Sequence, residues 1–222
     1  SNTVSIANED VVLTGDVQVS GTLNIGENVK LDGQGYSLQS FSVDAVNIIG
    51  SSSANENDQY LKNVDIYYAQ TDYNSNSSFN IENYYLEDVE IQGENGDPYH
   101  GYFTLKNNTI KSPDDYSYIS NPKEDVEISN NTFLLEGTSW VIATQTFSGA
   151  GSVNIKDNKF YEFEGGLYDY GLITNVWSYP DAKTTATGNI FYNPEDNIFK
   201  LLKNILNFYL QNIGLKHSQQ VS

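Results

Sequence analysis

The chain has 222 residues, with 11 basic against 29 acidic side chains for a formal net charge of −18, and it contains neither cysteine nor methionine. All 11 basic residues are lysines, and 27 Asn, 17 Tyr and 17 Gly stand out among the rest. A surface this acidic repels phosphate backbones, so a nucleic-acid partner is not expected. The absence of cysteine excludes disulfides, thiolate nucleophiles and Cys-ligated zinc, and two distant histidines argue against a His-rich metal site.

The composition also bears on where the protein works. No apolar run reaches the roughly 18 residues that a membrane span needs, so membrane insertion is not expected. The chain opens on the polar SNTVS, so a signal peptide is not expected within this sequence. Missing oxidisable sulfur and strong acidity favour an extracellular or cell-surface location. A base-composition bias in the source genome is the alternative explanation.

The first elements in chain order are short strands joined by tight turns. Apolar and polar residues alternate through VVLTGDVQVSGTLNIGENVKLDGQGYSL, at positions 11–38, and glycines interrupt the pattern at 15, 21, 26, 33 and 35. Such alternation is typical of strands that bury one face.

Six later segments share one pattern. An apolar or small residue is followed two positions later by Asn, Asp or Gly, then by Asn or Val, and finally by Ile or Phe. The segments are YLKNVDI (60–66), YLEDVEI (85–91), TLKNNTI (104–110), EISNNTF (127–133), NIKDNKF (154–160) and TATGNIF (185–191). The varied intervals between them indicate a constant strand–turn–strand unit separated by loops of different length.

The residue types at the turn explain this pattern. Asn, Asp and Gly tolerate a left-handed backbone, so a bend fits there without strain. The flanking apolar residues are expected to point inward and the intervening polar residues outward. Stacked units would then align aliphatic columns inside and a ladder of turn residues at the bend. The predicted turn ladder comprises Asn63, Asp88, Asn107, Asn130, Asp157 and Gly188.

With these repeats the chain resembles the right-handed parallel β-helices of the pectate-lyase-like superfamily. The phrases VKLDGQGYSL, FTLKNNTI and VEISNNTF are similar to those of its Asn-rich surface members, including adhesin-like proteins of bacteria and methanogens. The resemblance covers roughly residues 4–192 and implies an all-β solenoid of about eight coils over residues 1–192. An antiparallel β-sandwich is the alternative, although its hairpins need no repeated Asn bend at a fixed offset.

The pattern changes at Asn193, where a side-chain cap, a proline at the first helical position and acidic residues predict a helix start. Apolar residues then recur at three- and four-residue steps until Gly214. We expect an α-helix over 194–213 within a C-terminal amphipathic segment, 193–216. It would pack on or cap the solenoid and so cover strand edges; a dimer helix or a membrane-surface helix is the alternative.

The resemblance raises the question of enzymatic activity, because many members cleave acidic polysaccharides. A lyase of that kind typically uses an arginine, which this chain lacks, although lysine-based variants exist. Hydrolases of the superfamily carry Gly-His-Gly and Arg-Ile-Lys segments, of which only Tyr99-His100-Gly101 is present in part. If the protein is a polysaccharide lyase or glycoside hydrolase, the candidate catalytic residues are Asp114, Asp115, Glu162, Glu164 and Asp169.

No cofactor is expected apart from calcium. The acidic phrases match neither the EF-hand loop nor the glycine-rich nonapeptide repeat. An isolated acidic loop is usually solvated, so calcium is a weak expectation. The candidate ligands are Glu94, Asp97, Asp114 and Asp115.

Aromatic residues cluster in the segments between the repeats. Exposed rings next to carboxylates and amides suit sugar recognition, and tyrosine also suits protein contacts; core packing is the other reading. The candidate ligand-binding residues are Tyr99, His100, Tyr102, Tyr116, Tyr118, Trp140, Tyr161, Tyr168, Tyr170 and Trp177.

These observations together predict an extracellular or cell-surface, non-catalytic binding or adhesion module. A polysaccharide or glycan is the expected ligand and a protein partner the next candidate. A polysaccharide-degrading enzyme and a structural stalk are the alternatives.

Overall fold

A computed structural model describes residues 2–40, 45–52, 55–68, 77–93, 101–111, 116–118, 125–136, 140–145, 152–164, 173–177 and 183–192. In this part of the chain the regular secondary structure is all β, and every strand pair is parallel. Parallel pairing excludes the antiparallel sandwich. No helix among the described residues is long and apolar enough to cross a membrane. The predicted helix, 194–213, and its segment 193–216 lie outside the described residues.

Most strands belong to one of two large parallel sheets. The eight-stranded sheet consists, in spatial order, of β1 (Asn2–Ile6), β4 (Gly21–Ile25), β7 (Ala45–Ile49), β9 (Ser77–Glu82), β11 (Gly101–Lys106), β14 (Val126–Ser129), β17 (Ser152–Lys156) and β20 (Lys183–Thr187). The ten-stranded sheet follows the order β2 (Asp10–Val12), β5 (Lys30–Asp32), β8 (Tyr60–Tyr68), β10 (Tyr85–Gly93), β12 (Thr109–Lys111), β15 (Thr132–Glu136), β18 (Lys159–Glu164) and β21 (Ile190–Tyr192). Its remaining strands are β3 (Val17–Val19) and β6 (Ser37–Ser40), and β6 also pairs with β8.

A third sheet contains β13 (Tyr116–Tyr118), β16 (Trp140–Gln145) and β19 (Ile173–Trp177). Each strand of the eight-stranded sheet is followed along the chain by a strand of the ten-stranded sheet, and such a pair is called a repeat below. The described residues contain eight repeats. This succession of parallel strands is compatible with a β-helix or solenoid.

The core lies on the inner faces of the two large sheets. One inner column of the eight-stranded sheet contains Ile25, Ile48, Ile81, Leu105, Ile128 and Ile155, all buried. The corresponding column of the ten-stranded sheet contains Leu31, Leu61, Leu86, Ile110, Phe133 and Phe160. In this column the rings of Phe133 and Phe160 stack in parallel with centroids 4.7 Å apart. The period-2 pattern of the sequence therefore matches the alternating burial of strands such as β4, β5 and β17.

Left-handed residues link the two sheets in successive repeats. The backbone angle φ is 60° at Asn83, 57° at Asn107, 55° at Asn130, 58° at Asp157 and 69° at Gly188. Each of these residues lies between the two strands of its repeat. A left-handed residue interrupts the inward–outward alternation of side chains along the strand. The residue that follows the bend therefore points inward instead of outward.

The turn ladder predicted from sequence divides into two columns, which is a correction. Asn63 and Asp88, each with φ of 51°, lie inside β8 and β10 rather than between the two sheets. The register pairs Leu86 with Leu61 on one side and with Ile110, not Leu105, on the other. The two bends share a sequence pattern because any left-handed bend after a strand selects the same residue types.

A second correction concerns the residue after each bend between the sheets. Asn108, Asn131 and Asn158 are buried, with 2%, 1% and 0% of their surface exposed, although polar residues here were expected to face outward. Their side chains, together with that of Asn189, form a ladder across four repeats, called the inner asparagine ladder below. The Nδ2 atoms of the first three donate to the Oδ1 of the next member at 3.1, 3.0 and 2.9 Å.

Backbone groups complete the hydrogen bonding of this ladder. The Oδ1 of Asn131 also accepts from the backbone N–H of Asn108 at 3.0 Å, and its Nδ2 donates to the carbonyl of Leu105 at 2.9 Å. Asn108 and Asn158 repeat both bonds in their own repeats. The amides thus satisfy turn groups that burial would otherwise leave without partners.

Different side chains replace asparagine at the other end of the ladder. Tyr84 is fully buried and its hydroxyl donates to the carbonyl of Gly26, while Gln59 Oε1 accepts from the backbone N–H of Asn28 at 3.0 Å. A Cβ atom on Gly50 would lie 1.9 Å from Nε2 of Gln59, so only glycine fits there. These longer side chains span repeats whose turns differ in length.

The inner asparagine ladder predicts that replacing an inner asparagine lowers the free energy of unfolding much more than replacing an outer one. Asn131→Ala removes the acceptor of the buried backbone N–H of Asn108, a second donor to the carbonyl of Leu105 and the bond to Asn158, and we expect a loss of about 2–4 kcal/mol in the free energy of unfolding. Asn154→Ala, on an outer face, should cost less than about 1 kcal/mol. Urea denaturation of both variants measures the difference, and equal losses would contradict the ladder's role.

The bend itself predicts a separate, backbone effect. Asn130 is exposed and left-handed, so Asn130→Val should cost about 1–2 kcal/mol through steric strain. Asn130→Gly, which tolerates this conformation, serves as the control and should retain the stability of the parent chain. Thermal melting of the two variants measures the effect, and a Val variant as stable as the Gly variant would exclude the left-handed bend.

Candidate functional site

Most of the candidate residues from the sequence fall where the structure gives no side-chain description. Outside the described residues lie Glu94, Asp97, Tyr99, His100, Asp114, Asp115, Tyr168, Asp169 and Tyr170. On strands described by their backbone are Tyr116, Tyr118, Trp140, Glu162, Glu164 and Trp177. The third sheet carries four of these on its three strands, and Tyr116 pairs in register with Trp140. The four are Tyr116, Tyr118, Trp140 and Trp177. The side chains of Tyr102 and Tyr161 are described below.

The outer face of the eight-stranded sheet carries a continuous row of polar side chains. One residue per strand contributes, and the register aligns them along the sheet. This polar row consists of Ser5, Asn24, Asn47, Asn80, Thr104, Glu127, Asn154 and Thr185. Parallel strands lie 4.7–4.9 Å apart, so eight strands give the row a length of about 33 Å.

Hydrogen bonds hold the first half of the polar row in place. Nδ2 of Asn24 donates to Oγ of Ser5 at 3.3 Å, Asn47 donates to Oδ1 of Asn24 at 3.1 Å, and Asn80 donates to Oδ1 of Asn47 at 2.9 Å. At the other end, the hydroxyl of Thr185 donates to Oδ1 of Asn154 at 2.6 Å. The bonds fix the rotamers of the amides while the side chains stay partly accessible to solvent. The sequence pattern placed these residues on outer faces but gave no sign that they bond to one another.

Charged groups of the polar row are confined to its second half. Glu127 accepts a hydrogen bond from the buried hydroxyl of Ser129 at 2.8 Å and forms an ion pair with Lys156 at 3.5 Å. The Ser129 hydroxyl, followed by the charge of Lys156, holds the pKa of the Glu127 carboxyl below its usual value against the opposing effect of burial. Tyr102, next to the row, is 45% exposed. It is the one sequence candidate whose described side chain is largely accessible.

The outer face of the ten-stranded sheet has a different character. Glu87 bridges Lys62 and Lys111, each at 3.7 Å, across three neighbouring strands. The hydroxyl of Tyr85 donates to the same carboxylate at 3.0 Å, and burial, followed by this bond and charge, raises the pKa of the tyrosine. These charged and hydroxyl groups bond to one another, so the side chains of this part of the face already have partners within the protein.

Further along the same face, Tyr161 and Tyr192 stack with ring centroids 4.4 Å apart and planes within 3° of parallel. In such a stack each ring covers one face of the other, and Tyr192 is 41% exposed. The contribution of Tyr161 to ligand binding stays a prediction.

A shallow open cleft lies at one end of the ten-stranded sheet. Its volume is about 340 Å³, and it is lined by Asn8, Asp10, Asn28, Lys30 and Asp58. Two of these residues bond to each other, since Nδ2 of Asn28 donates to Oδ1 of Asn8 at 2.9 Å. Sequence patterns did not indicate this cleft, because Asp58 comes from a turn 28 positions after Lys30 and is not part of the repeat. In the part of the chain that the structure describes, no group of three or more His, Asp or Glu side chains could hold a metal ion.

Comparisons with protein-family models, with curated proteins and with solved structures find no match to this chain.

The environment of Glu127 predicts a pH effect. Because its folded-state pKa is lowered, the carboxylate stabilises the fold above its unfolded pKa, and this stabilisation is lost as the pH falls through the folded value. Ser129→Ala removes the largest cause, so the pKa of Glu127 should move upward towards its ordinary value. NMR titration of the Glu127 carboxyl carbon in the parent and variant chains measures it, and an unchanged midpoint would contradict the assignment.

Proposed function

We propose that this chain is a non-catalytic binding module of an extracellular or cell-surface protein and that it recognises a neutral polysaccharide through the polar row. The observation that carries the proposal is the row itself: an aligned series of amide and hydroxyl groups, with one carboxylate, on the outer face of a sheet. Its length of about 33 Å suits an extended polymer better than a small molecule.

The hydrogen bonds within the polar row leave binding capacity unused. A primary amide has two N–H donors and two acceptor lone pairs. Asn24 and Asn47 each use one donor and one acceptor within the row. The remaining donor and acceptor of each amide can bond to sugar hydroxyls, and because the rotamers are already fixed, little side-chain entropy is lost on binding.

The negative net charge of the chain favours neutral polysaccharides over acidic ones. The chain carries a formal net charge of −18, which disfavours uronate or sulfated polymers over neutral ones. The side chains of the row are uncharged except for Glu127, whose ion pair with Lys156 compensates it. Neutral sugars instead need paired donors and acceptors, which amides and hydroxyls supply.

We propose further that the parallel sheets are the faces of a right-handed β-helix. The regular return of the chain from one sheet to the other, with every pair parallel, supports a solenoid. Right-handed crossovers are the near-universal form of parallel connections. A stack of this kind explains why outer residues of successive repeats align into a row.

The proposal predicts selective retention on neutral polymers. We expect the chain to bind insoluble cellulose, chitin or mannan in depletion assays more tightly than polygalacturonate. The triple variant N24A/N47A/N80A should bind about tenfold more weakly, a loss of roughly 1.4 kcal/mol. The matched control, T109A/T132A, changes two polar residues on the outer face of the ten-stranded sheet and should bind like the parent chain.

Each other outcome would count against this function. Equal loss in the control would locate binding away from the polar row. Preference for the acidic polymer would contradict the neutral class, and retention on none of the polymers would favour a structural role. Release of reducing or unsaturated ends would show an enzyme. Circular dichroism of the variants distinguishes lost binding from lost folding.

A further inference from the structure

Two of the bends between the sheets carry a tripeptide that the fold does not require. Residues 107–109 and 130–132 both read Asn-Asn-Thr, which fits the Asn-x-Thr pattern at which N-linked glycans are attached. The bend needs a left-handed first residue and a buried amide at the second, and Asp-Asn-Lys at 157–159 meets both needs. The first Asn and the Thr are therefore open to a second role.

Burial separates the two asparagines of each tripeptide. Asn107 and Asn130 are exposed, whereas Asn108 and Asn131 are 2% and 1% exposed. The buried pair is followed by Thr-Ile and Thr-Phe, so neither begins an Asn-x-Thr tripeptide of its own. A glycan on the exposed asparagines would project into solvent and leave the inner asparagine ladder intact.

The side-chain amides of Asn107 and Asn130 form no hydrogen bond with the described residues. Their backbone N–H groups hold the bends, since they donate to the carbonyls of Ser129 and Lys156 at 3.1 Å each. At the other left-handed asparagines of the described residues the side chain bonds within the protein; these are Asn8, Asn28, Asn63 and Asn83. Modification of the two free amides therefore breaks no contact with the described residues.

From these observations we propose that Asn107 and Asn130 are sites of N-glycosylation. The donor is an oligosaccharide on a polyisoprenyl pyrophosphate, and an oligosaccharyltransferase catalyses the transfer. Nδ2 bonds to the anomeric carbon, the bond from that carbon to the phosphate oxygen breaks, the lipid pyrophosphate leaves with the bonding electrons, and the amide loses one proton.

The fold sets the order of events. Asn108 and Ile110, which flank Thr109, are buried in the folded chain, so transfer to Asn107 precedes folding of this repeat. The inference rests on the extracellular location within the proposed function and not on the polar row.

The test secretes the chain from eukaryotic cells with a C-terminal tag that carries one Asn-Ala-Thr reference site. Peptide N-glycosidase converts each glycosylated Asn to Asp, and mass spectrometry after cleavage at lysine locates the conversion against an untreated sample. Cleavage separates the sites, because residues 107–111 and 124–156 form two peptides, while a third tripeptide, at 76–78, falls in 63–106. We expect conversion at both Asn107 and Asn130.

Variants of the third position test the assignment. Thr109→Ala should remove the glycan from Asn107 alone, and Thr132→Ala should remove it from Asn130 alone, because transfer requires the hydroxyl. Thr109→Ser and Thr132→Ser keep the hydroxyl and are the matched controls.

Two results would overturn the proposal. If either asparagine stays unmodified in a chain whose reference tag is modified, its assignment is wrong, and a glycan that survives the alanine substitution also excludes it. Retention of unglycosylated chain from bacteria on polysaccharides is a separate measurement, so failure here leaves the proposed function standing.

Discussion

Burial of an amide at the turn between the sheets is the constraint on which the other features depend. Asn131 bonds to the carbonyl of Leu105 in the preceding repeat and to Asn158 in the following one, so one side chain joins three repeats. In a low-dielectric interior such bonds are strong and a missing partner is costly. A register shift of one residue would leave the whole ladder unsatisfied. The ladder thus specifies which residues of neighbouring strands align.

This alignment explains the outer surfaces. Because the ladder holds the turns of four repeats in the same position, the strand before each of these turns presents its outer residues in register. Thr104, Glu127 and Asn154 align for this reason although 23 and 27 residues separate them along the chain. Segments of different length between repeats leave the alignment unchanged. Function on this fold can therefore reside in rows of aligned side chains, without a deep pocket.

The sequence predicts much of the fold because strand alternation and left-handed turns each select few residue types. It does not show that Asn108 points inward, since its burial depends on a partner, Asn131, in another repeat. It does not separate the bend at Asp88 from that at Asn107, since both obey the same steric rule. Aromatic residues and carboxylates were natural candidates for binding by their chemistry alone. The sequence does not indicate the polar row, because its members become neighbours only through the strand register.

Native-state hydrogen exchange followed by NMR tests the inner asparagine ladder most directly. The backbone N–H groups of Tyr84, Asn108, Asn131 and Asn158 lie at turns, where amides ordinarily exchange within seconds to minutes on exposure to solvent. Because each donates to an amide oxygen of the ladder, they should exchange as slowly as the central strand amides of Ile128 and Ile155. Exchange at the rate of an open turn, with the strands still protected, would show that the ladder does not hold the repeats together.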